Sequence, residues 1–447
     1  MSTDWITSKL SDLTTKVGSG ATPLGGEAAY KPSGTPLIRS MNVVFFGFKR
    51  AGLVFIDGAQ AAALGGATVE AGDVLLNITG ASIGRVTLAP SDMAGARVNQ
   101  HVCIVRPGEA LDSRFLNAYL SSPKVQAMIW ADNAGTTRQA LTKQQILGFE
   151  VPVPPLAEQC RIADKLDTVL ARVDAVNDRL ARVAPLLKRF RQSVLAAATS
   201  GRLTEEWRDQ MGLRWEAKTV PLGQLGEVVT GNTPSKKTEA NFGGDIPFFK
   251  PSDLDAGYEV HTASEYLSAL GARQARLLPE RSVLVTCIGA TIGKTGFARR
   301  PCSTNQQINA VICGEEVQAE WLYFWMCSPA AQLAIVDNSS ATTLPILNKS
   351  RFSALEVSVP SRGEQAEIVR RVELLFGYAD RLEARLKAAQ AATERLTPAL
   401  LAKAFRGELV PQDPNDEPAS ELLRRLAESR AAAPAPRKRG RPARADA

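Results

Sequence analysis

A lysine and a threonine follow two closely spaced glycines in the segment CIGATIGKTG at 287–296, a combination that could bind a nucleotide phosphate. A phosphate-binding loop requires the spacing G-x-x-x-x-G-K-[ST], so that backbone N–H groups surround the phosphates. The required first glycine falls on Ile288, and Gly289 lies one residue too late. An enzyme that uses this segment to bind a nucleotide therefore remains only an alternative function, because it would also need a metal-binding aspartate.

Other signatures of catalysis and metal binding are missing from the sequence. His101 and His261 are the only histidines in 447 residues, and they form no obvious acid–base pair. The six cysteines form no C-x-x-C pair, which argues against a zinc site or a disulfide framework. Neither an adenine-methylation motif (N-P-P-[YF] or D-P-P-Y) nor a P-D…E-x-K nuclease pattern occurs. The sequence therefore offers no candidate for a catalytic centre or a metal site.

The composition is that of a globular protein with a basic balance. Hydrophobic residues make up 45% and charged residues 22% of the chain, and the net charge is +7. A positive balance favours a polyanionic partner. The first residues lack the basic-then-apolar order of a signal peptide, and no apolar run could span a bilayer, so we expect a cytoplasmic protein.

The chain consists of one sequence unit that occurs twice. VPVPPLAEQ at 151–159 recurs as VSVPSRGEQ at 357–365, 206 residues later, and GASIGR at 80–85 recurs as GATIGK at 289–294. Each copy combines a globular part, which diverges in sequence, with an apolar-periodic stretch that keeps its pattern. A repeat of this kind indicates two similar structural units.

The periodic stretches predict two long helices that pair as an antiparallel coiled coil with pseudo-twofold symmetry. Apolar residues recur at alternating steps of four and three, which is a heptad seam. The predicted seam consists of Ile162, Leu166, Val169, Val173, Val176 and Leu180 in the first helix and Ile368, Val372, Leu375, Leu382, Leu386 and Leu396 in the second. Placing Ile162 opposite Leu400 pairs large side chains with small ones, as close packing requires. Pro185 and Pro398 lie inside the stretches and are expected to kink or interrupt the helices.

Each globular part is predicted to be an α+β domain of roughly 150 residues, enough for its own core. Short apolar runs separated by Gly and Pro predict strands, and the following apolar segments predict one or two short helices. The predicted boundaries are a first domain at 1–155, a long helix at 156–200, a linker at 201–219, a second domain at 220–361, a second long helix at 362–406, and a tail at 407–447 that is disordered and basic from about 433.

This order of domains, together with several short motifs, resembles the specificity subunit of type I restriction–modification systems. The motifs are GNTPS at 231–235, GATIGK at 289–294, NQQ at 305–307, P-x-x-x-x-EQ at 154–159 and FRGEL at 405–409. The resemblance covers nearly the whole chain. The first copy of the TG-x-TPS pattern, VGSGATP at 17–23, is a degraded match.

The resemblance implies that each globular part is a target-recognition domain that reads one half of a bipartite site in double-stranded DNA. The helices would set the distance between the halves and dock two methyltransferase subunits, and restriction subunits would supply the motor and nuclease. The chain itself would be non-catalytic, in a complex with adenine-methyltransferase and ATP-dependent endonuclease activities. S-adenosylmethionine, ATP and Mg are then expected in the partner subunits. A coiled-coil scaffold without DNA binding is the other alternative, but a scaffold would not need two diverged domains.

Lysines and arginines in the domain loops are candidates for phosphate contacts, and other polar side chains for base contacts. The candidates in the first domain are Arg39, Asn42, Lys49, Arg50, Arg85, Thr137, Arg138, Gln139 and Lys143. Those in the second domain are Lys236, Lys237, Lys250, Asp253, Lys294, Asn348 and Lys349. Arg85 and Lys294 end the repeated glycine turn, where each is expected to meet a phosphate.

Two further segments have a predicted role. Asn99-Gln100 recurs as Asn305-Gln306, so these residues cannot read different sequences, and we expect them to hydrogen-bond a loop. The R-G-R-P sequence at 439–442 resembles an AT-hook, which lays arginines in the minor groove. A loose basic tail that adds nonspecific affinity is the alternative for this segment.

Overall fold

The computed structural model describes residues 5–132, 140–340 and 344–432. The chain divides into two compact units. Unit 1 comprises Met1–Arg179 and Ala389–Ala447, and unit 2 comprises Leu180–Ala388. Unit 1 is therefore built from two separate stretches of sequence, whereas unit 2 is continuous.

The first domain, residues 5–155 of unit 1, is built around an antiparallel sheet. Its strands are β1 (Ile6–Lys9), β2 (Thr14–Ser19), β3 (Thr35–Ile38), β4 (Val43–Val44), β5 (Gly47–Phe48), β6 (Val54–Ile56), β7 (Val74–Asn77), β8 (Val86–Leu88), β9 (Arg97–Val98), β10 (Val102–Pro107) and β11 (Glu150–Val153). The main sheet has the order β2-β10-β7-β8, and a second sheet has the order β6-β3-β9, with β3 and β9 parallel. The pairing of β1 with β11 joins the beginning and the end of the domain.

Short helices pack against the two sheets of the domain. They are α1 (Leu10–Leu13), α2 (Gly58–Ala63), α3 (Ser113–Leu120), α4 (Pro123–Asp132) and α5 (Lys143–Leu147). Helix α2 lies on the second sheet, and the others lie on one face of the main sheet. Alternate residues of the strands, such as Val74, Leu76 and Val105, join Phe115 of α3 in one buried cluster. This alternation is expected for a sheet that buries one face under helices.

The first long helix, α6 (Leu156–Thr199), begins at the repeated Glu-Gln motif. The side-chain amide of Gln159 donates hydrogen bonds of 3.0 Å to the carbonyl oxygens of Ala110 and Pro154, and its oxygen accepts one from the Asp112 N–H. These bonds fix the start of the helix against the loop that precedes α3. Gln365 makes the equivalent bonds to Glu316, Pro360 and Gln318 in unit 2.

The second domain, residues 217–361 of unit 2, repeats the topology of the first. Its strands are β12 (Ala217–Pro221), β13 (Gly226–Thr230), β14 (Phe242–Phe249), β15 (Tyr266–Leu267), β16 (Leu277–Leu278), β17 (Val283–Thr286), β18 (Thr295–Phe297), β19 (Cys302–Thr304), β20 (Ile308–Cys313) and β21 (Glu356–Pro360). The order β13-β20-β17-β18 of its main sheet matches β2-β10-β7-β8, and the pairing of β12 with β21 matches that of β1 with β11. The sequence repeat is therefore a repeat of structure.

The helices of unit 2 also follow the pattern of unit 1. They are α7 (Glu205–Met211), α8 (Ala269–Gln274), α9 (Ala319–Met326), α10 (Pro329–Asp337) and α11 (Lys349–Ser353). The predicted linker at 201–219 contains α7 and the first residues of β12. The second long helix is α12 (Arg362–Ala404), and α13 (Ala419–Ala432) follows in the tail. Ala419 lies in the buried cluster of unit 1, so this part of the tail belongs to the fold.

The long helices α6 and α12 pack together within each unit. In unit 1, Leu166 and Leu170 share a buried cluster with Leu401 and Ala404. In unit 2, the later residues of α6 share a cluster with the earlier residues of α12: the cluster contains Val194, Leu195, Ile368, Val369 and Val372. The start of each helix thus lies beside the end of the other, which confirms the antiparallel orientation.

The predicted register of the helix pair is wrong. Arg191 bonds to Asp380 at 2.9 Å and to Glu383 at 3.0 Å, and its guanidinium lies over the Phe376 ring. The large-against-small register places Arg191 opposite Arg371, so the helices are shifted by at least one turn. Size matching was a weak guide because alanine and leucine both recur along each stretch.

The assignment of three residues to the seam between the helices is wrong as well. Val176, Leu382 and Leu396 are 42%, 50% and 45% exposed. A strict heptad drifts by about 20° per repeat on a straight helix, so residues on the predicted stripe rotate out of the contact. The other seam residues are buried or partly buried: Ile162, Leu166, Val169, Val173, Leu180, Ile368, Val372, Leu375 and Leu386. Pro185 and Pro398 interrupt neither helix.

Candidate nucleic-acid interface

The repeated Asn-Gln pair forms a turn at the end of β9 and of β19. Asn99 Oδ1 accepts a 3.0 Å hydrogen bond from the backbone N–H of His101, and Asn305 Oδ1 accepts one of 3.1 Å from that of Gln307. Short polar side chains commonly stabilise turns in this way. The predicted role of these asparagines in holding a loop is confirmed.

The Thr-Pro motif of each domain contacts the same turn. Thr22 Oγ1 donates a hydrogen bond to Gln100 Oε1, and Thr233 Oγ1 donates one of 2.7 Å to Gln306 Oε1. The two motifs that lie far apart in sequence therefore meet at one polar corner, which is built twice. Because the degraded TP motif of the first domain still makes this bond, the corner does not depend on the full TG-x-TPS pattern.

The glycine turn lies between β7 and β8, and between β17 and β18. Gly84 and Gly293 have φ values of +83° and +85°, a conformation that favours glycine. Gln332 donates a hydrogen bond of 2.8 Å to the Gly293 carbonyl oxygen, and Gln126 makes the same bond to Gly84. The segment that resembled a phosphate-binding loop is thus a β-turn held by a glutamine.

The loop before the short helix α5 or α11 packs against this turn. In the second domain, the Gly289 N–H donates to the Pro345 carbonyl oxygen at 3.0 Å, and the Leu347 N–H donates to the Cys287 carbonyl oxygen at 2.8 Å. In the first domain, the Leu141 N–H donates to the Ile78 carbonyl oxygen at 2.8 Å. The candidates Thr137, Arg138 and Gln139 lie outside the described residues.

Among the described candidates of the first domain, four are exposed and three are held by neighbours, and Arg50 is in both groups. Lys49, Arg85 and Lys143 are exposed, and Arg85 lines a shallow recess. Arg39 donates to the Gly52 carbonyl oxygen at 2.6 Å, and Arg50 forms an ion pair of 2.6 Å with Asp92. The assignment of Asn42 to DNA contact is wrong: it is fully buried, accepts from the Arg39 N–H and donates to the Lys49 carbonyl oxygen.

The candidates of the second domain divide in a similar way. The exposed ones are Lys236, Lys237, Asn348 and Lys349. Lys250 pairs with Glu265 at 2.9 Å, and Lys294 pairs with Asp255 at 2.7 Å, so Lys294 is already neutralised.

Two short polar candidates of this domain hold backbone groups. The carboxylate of Asp253 accepts hydrogen bonds from the backbone N–H groups of Lys250 and Ser264, and its contact with DNA stays a prediction. Asn348 caps α11 by accepting from the Arg351 N–H, which occupies its side-chain oxygen. Local bonds of this kind cannot be distinguished from base contacts in the sequence, because the same residue types make both.

Thr79 and His101 line the recess beside Arg85, although neither was a DNA-contact candidate from the sequence. Thr79 Oγ1 lies 2.5 Å from His101 Nδ1, and Gln100 Nε2 lies 2.9 Å from His101 Nε2. The available signal was the change from His101 to Gln307 directly after a repeated Asn-Gln pair, since residues that differ between the copies are candidates for reading different sequences.

Burial controls the chemistry of the thiols. All six cysteines are free, and burial raises the pKa of the Cys103 and Cys287 thiols to about 12. These two thiols are therefore protonated at neutral pH and act as packing residues. Among the described residues, no group of three or more His, Cys, Asp or Glu side chains could hold a metal ion. No helix in this part of the chain is both long and apolar enough to cross a membrane.

Comparison with known families decides between the possible functions of this scaffold. Residues 3–184 and 214–389 each match the family described as "Type I restriction modification DNA specificity domain". The chain belongs to this family. It is a specificity subunit, as its motifs predicted, and its two domains are DNA specificity domains.

Several specificity subunits are similar in sequence to this chain. The specificity subunit of the type I restriction enzyme EcoBI from Escherichia coli is 33% identical over 75% of this chain and 76% of its own length. The specificity subunit of EcoKI from Escherichia coli strain K12 is 28% identical over 96% of both chains. The similarity thus extends over both domains and both long helices.

Two solved structures have the same fold. The HsdS subunit from Thermoanaerobacter tengcongensis aligns with a TM-score of 0.58 and 19% identity, over 91% of this specificity subunit and 98% of that chain. A chain from a structure of type I R-M complex assembly aligns with a TM-score of 0.67 and 19% identity, over 91% and 99%. Two α+β domains, each joined to a long helix, are therefore the shared fold.

Proposed function

We propose that each unit of this specificity subunit reads one half of a bipartite site in double-stranded DNA. The observation that supports this proposal is that one polar corner and one glycine turn occur twice on the same strand order, whereas the side chains around them differ. His101 corresponds to Gln307, and the exposed Arg85 corresponds to the paired Lys294. A common scaffold with different surface residues is what two readers of different sequences require.

Five exposed lysines among the candidates are proposed to contact DNA phosphates. They are Lys49, Lys143, Lys236, Lys237 and Lys349, and all lie in loops or at the first residue of a short helix. Contacts to phosphates give affinity without sequence information, and each releases counterions. This assignment agrees with the net charge of +7.

The long helices are proposed to dock two methyltransferase subunits, and the restriction subunits to join that complex. In unit 2, Leu374, Tyr378 and Leu382 are each about half exposed, at 50%, 52% and 50%. Their spacing of four residues places them on one face of α12. An exposed apolar stripe on a helix favours a helical partner.

The chemistry of the complex is proposed to lie in those partners. The relatives are named specificity subunits of restriction enzymes, so the enzyme activities belong to a larger assembly. We assign adenine methylation with S-adenosylmethionine to the methyltransferase subunits, and ATP- and Mg-dependent cleavage to the restriction subunits. The complex would act in the cytoplasm, where its DNA substrate lies.

Mapping methylated adenines in the host genome tests the proposed function. Single-molecule sequencing of a strain with the gene is expected to show a split motif, and deletion of the gene should remove methylation at every copy of it. A gene carrying a stop codon in α6 serves as a matched control for expression effects. A genome whose methylation is unchanged by the deletion would contradict DNA-target recognition by this chain.

A further inference from the structure

The recess beside the glycine turn of the first domain differs in its polar groups from the equivalent place in the second domain. It has a volume of about 450 Å³ and is lined by Ser40, Met41, Thr79, Gly80, Ala81, Ser82, Arg85 and His101. Among the described residues, Arg85 has no ion-pair partner, and its side chain is exposed. The recess therefore offers an unneutralised cation.

A chain of hydrogen bonds orients the Thr79 hydroxyl in this recess. Thr22 donates to Gln100 Oε1, which leaves the amide N–H₂ of Gln100 facing His101 Nε2 at 2.9 Å. That ring nitrogen must accept, so the neutral ring carries its hydrogen on Nδ1. His101 Nδ1 then donates to Thr79 Oγ1, 2.5 Å away. The Thr79 hydroxyl hydrogen is left to donate into the recess.

The second domain lacks each of these features at the equivalent positions. Ile288 occupies the place of Thr79, and Lys294, in the place of Arg85, is paired with Asp255 at 2.7 Å. Gln307 stands in the place of His101, where its oxygen accepts from Asn305 and its amide N–H₂ donates to the Ile288 carbonyl oxygen. The donors of the recess are therefore specific to the first domain.

We infer that Thr79 and Arg85, with Thr79 oriented by His101, read a guanine in the half-site of the first domain; this inference rests on the proposed function. Guanine presents two acceptors, N7 and O6, in the major groove, whereas adenine and cytosine each present an amino donor there. A guanidinium and a hydroxyl donor fit the guanine pattern. A phosphate would also accept from these groups, but phosphates are present at both half-sites and would not require a site in one domain alone. His101 is a positioning residue.

Selection from a randomised DNA library tests the inference with the full chain in complex with its methyltransferase subunits. The wild-type complex is expected to select a split site with a guanine in one half. Thr79→Val, which removes the hydroxyl at nearly constant volume, and Arg85→Gln should each reduce the preference for that guanine by about fivefold to hundredfold. His101→Gln introduces the residue of the second domain and should weaken the preference at the same position only.

The equivalent residue of the second domain provides the control for this selection experiment. Lys294→Gln changes the equivalent residue of the second domain and should leave the selected guanine unchanged. If Thr79→Val and Arg85→Gln lower affinity equally for all sequences and reduce the salt dependence, they contact phosphate and the inference is wrong. If the wild-type complex selects no split sequence, the proposed function itself fails. Because Arg85 is exposed, Arg85→Gln remains informative even where Thr79→Val disturbs folding.

Discussion

The side-chain amide of Gln332 donates a 2.8 Å hydrogen bond to the carbonyl oxygen of Gly293, and a second of 2.7 Å to that of Met326. The glutamine therefore ties the glycine turn to the end of α9. Gln126 makes the same two bonds, to Gly84 and Leu120, in the first domain. The conserved geometry places the residue after each glycine, Arg85 or Lys294, at the same point of each domain.

Gly293→Ala is expected to destabilise unit 2 more than the same substitution at a positive-φ glycine whose Cβ position is open. An added Cβ would lie 2.5 Å from Gln332 Oε1, and the backbone φ is +85°. Gly243 has a φ of +82° but nothing within 4 Å of its Cβ position, so Gly243→Ala measures the backbone strain alone, about 1 kcal/mol. Displacing Gln332 should cost about 1 kcal/mol more. Urea unfolding measures both, and equal losses would contradict a structural role for this glutamine.

Arg208→Ala is expected to cost about 3–5 kcal/mol, because it leaves the buried carboxylate of Glu364 unpaired. Arg208 donates to Glu364 and, at 3.0 Å, to Thr204, and the side chains of Arg208 and Glu364 are only 9% and 4% exposed. The double variant Arg208→Met, Glu364→Gln removes both charges and should unfold at a higher temperature than Arg208→Ala. Arg406→Ala breaks an exposed pair with Glu408 and should change the stability little, because solvent screens such pairs. A double variant no more stable than Arg208→Ala would show that the lost charge pairing is not the cause.

Replacing Lys236 and Lys237 by alanine is expected to weaken binding to every DNA sequence. Both side chains are exposed on the second domain. Loss of two phosphate contacts should reduce the slope of log K against log salt by about 2. Fluorescence anisotropy over a salt series with the assembled complex measures this slope. Lys387→Ala on α12 is the control, and an unchanged slope in the double variant would exclude both lysines from phosphate contact.

Glu367→Gln is expected to lower stability at neutral pH but not in strong acid. Hydrogen bonds from Arg370, and then from Arg371, lower the pKa of the Glu367 carboxyl to about 2 from an ordinary value of 4.5. A lowered folded-state pKa gives stability that is present above about 4.5 and lost as pH falls toward about 2. Urea midpoints of the wild type and the variant should therefore converge across this range. The exposed Glu356→Gln is the control, and a difference independent of pH would mean that the carboxylate charge is not responsible.

Periodicity and repetition predicted the larger features because they depend on many residues at once. The two α+β domains, the long helices and their antiparallel orientation follow from patterns spread over tens of residues. The register of the helix pair could not be predicted in this way. Arg191 pairs with Asp380 and Glu383 in a register that the apolar pattern does not determine. Asn42 was misassigned because only the fold shows that it is buried and that nearby backbone groups use its polar atoms. His101 was missed since its neighbours Thr79 and Gln100 become a bonded series only in three dimensions.

The division of the chain has a consequence for its synthesis. Unit 2, Leu180–Ala388, is continuous and can complete its core while later residues are still being translated. The core of unit 1 contains Leu401, Ala404 and Ala419 together with Leu10 and Leu13, so this core is complete only after the ribosome has passed those residues. The domain translated first is thus the second to complete its core, and the surface that Leu401, Ala404 and Ala419 cover stays open to chaperones for longer.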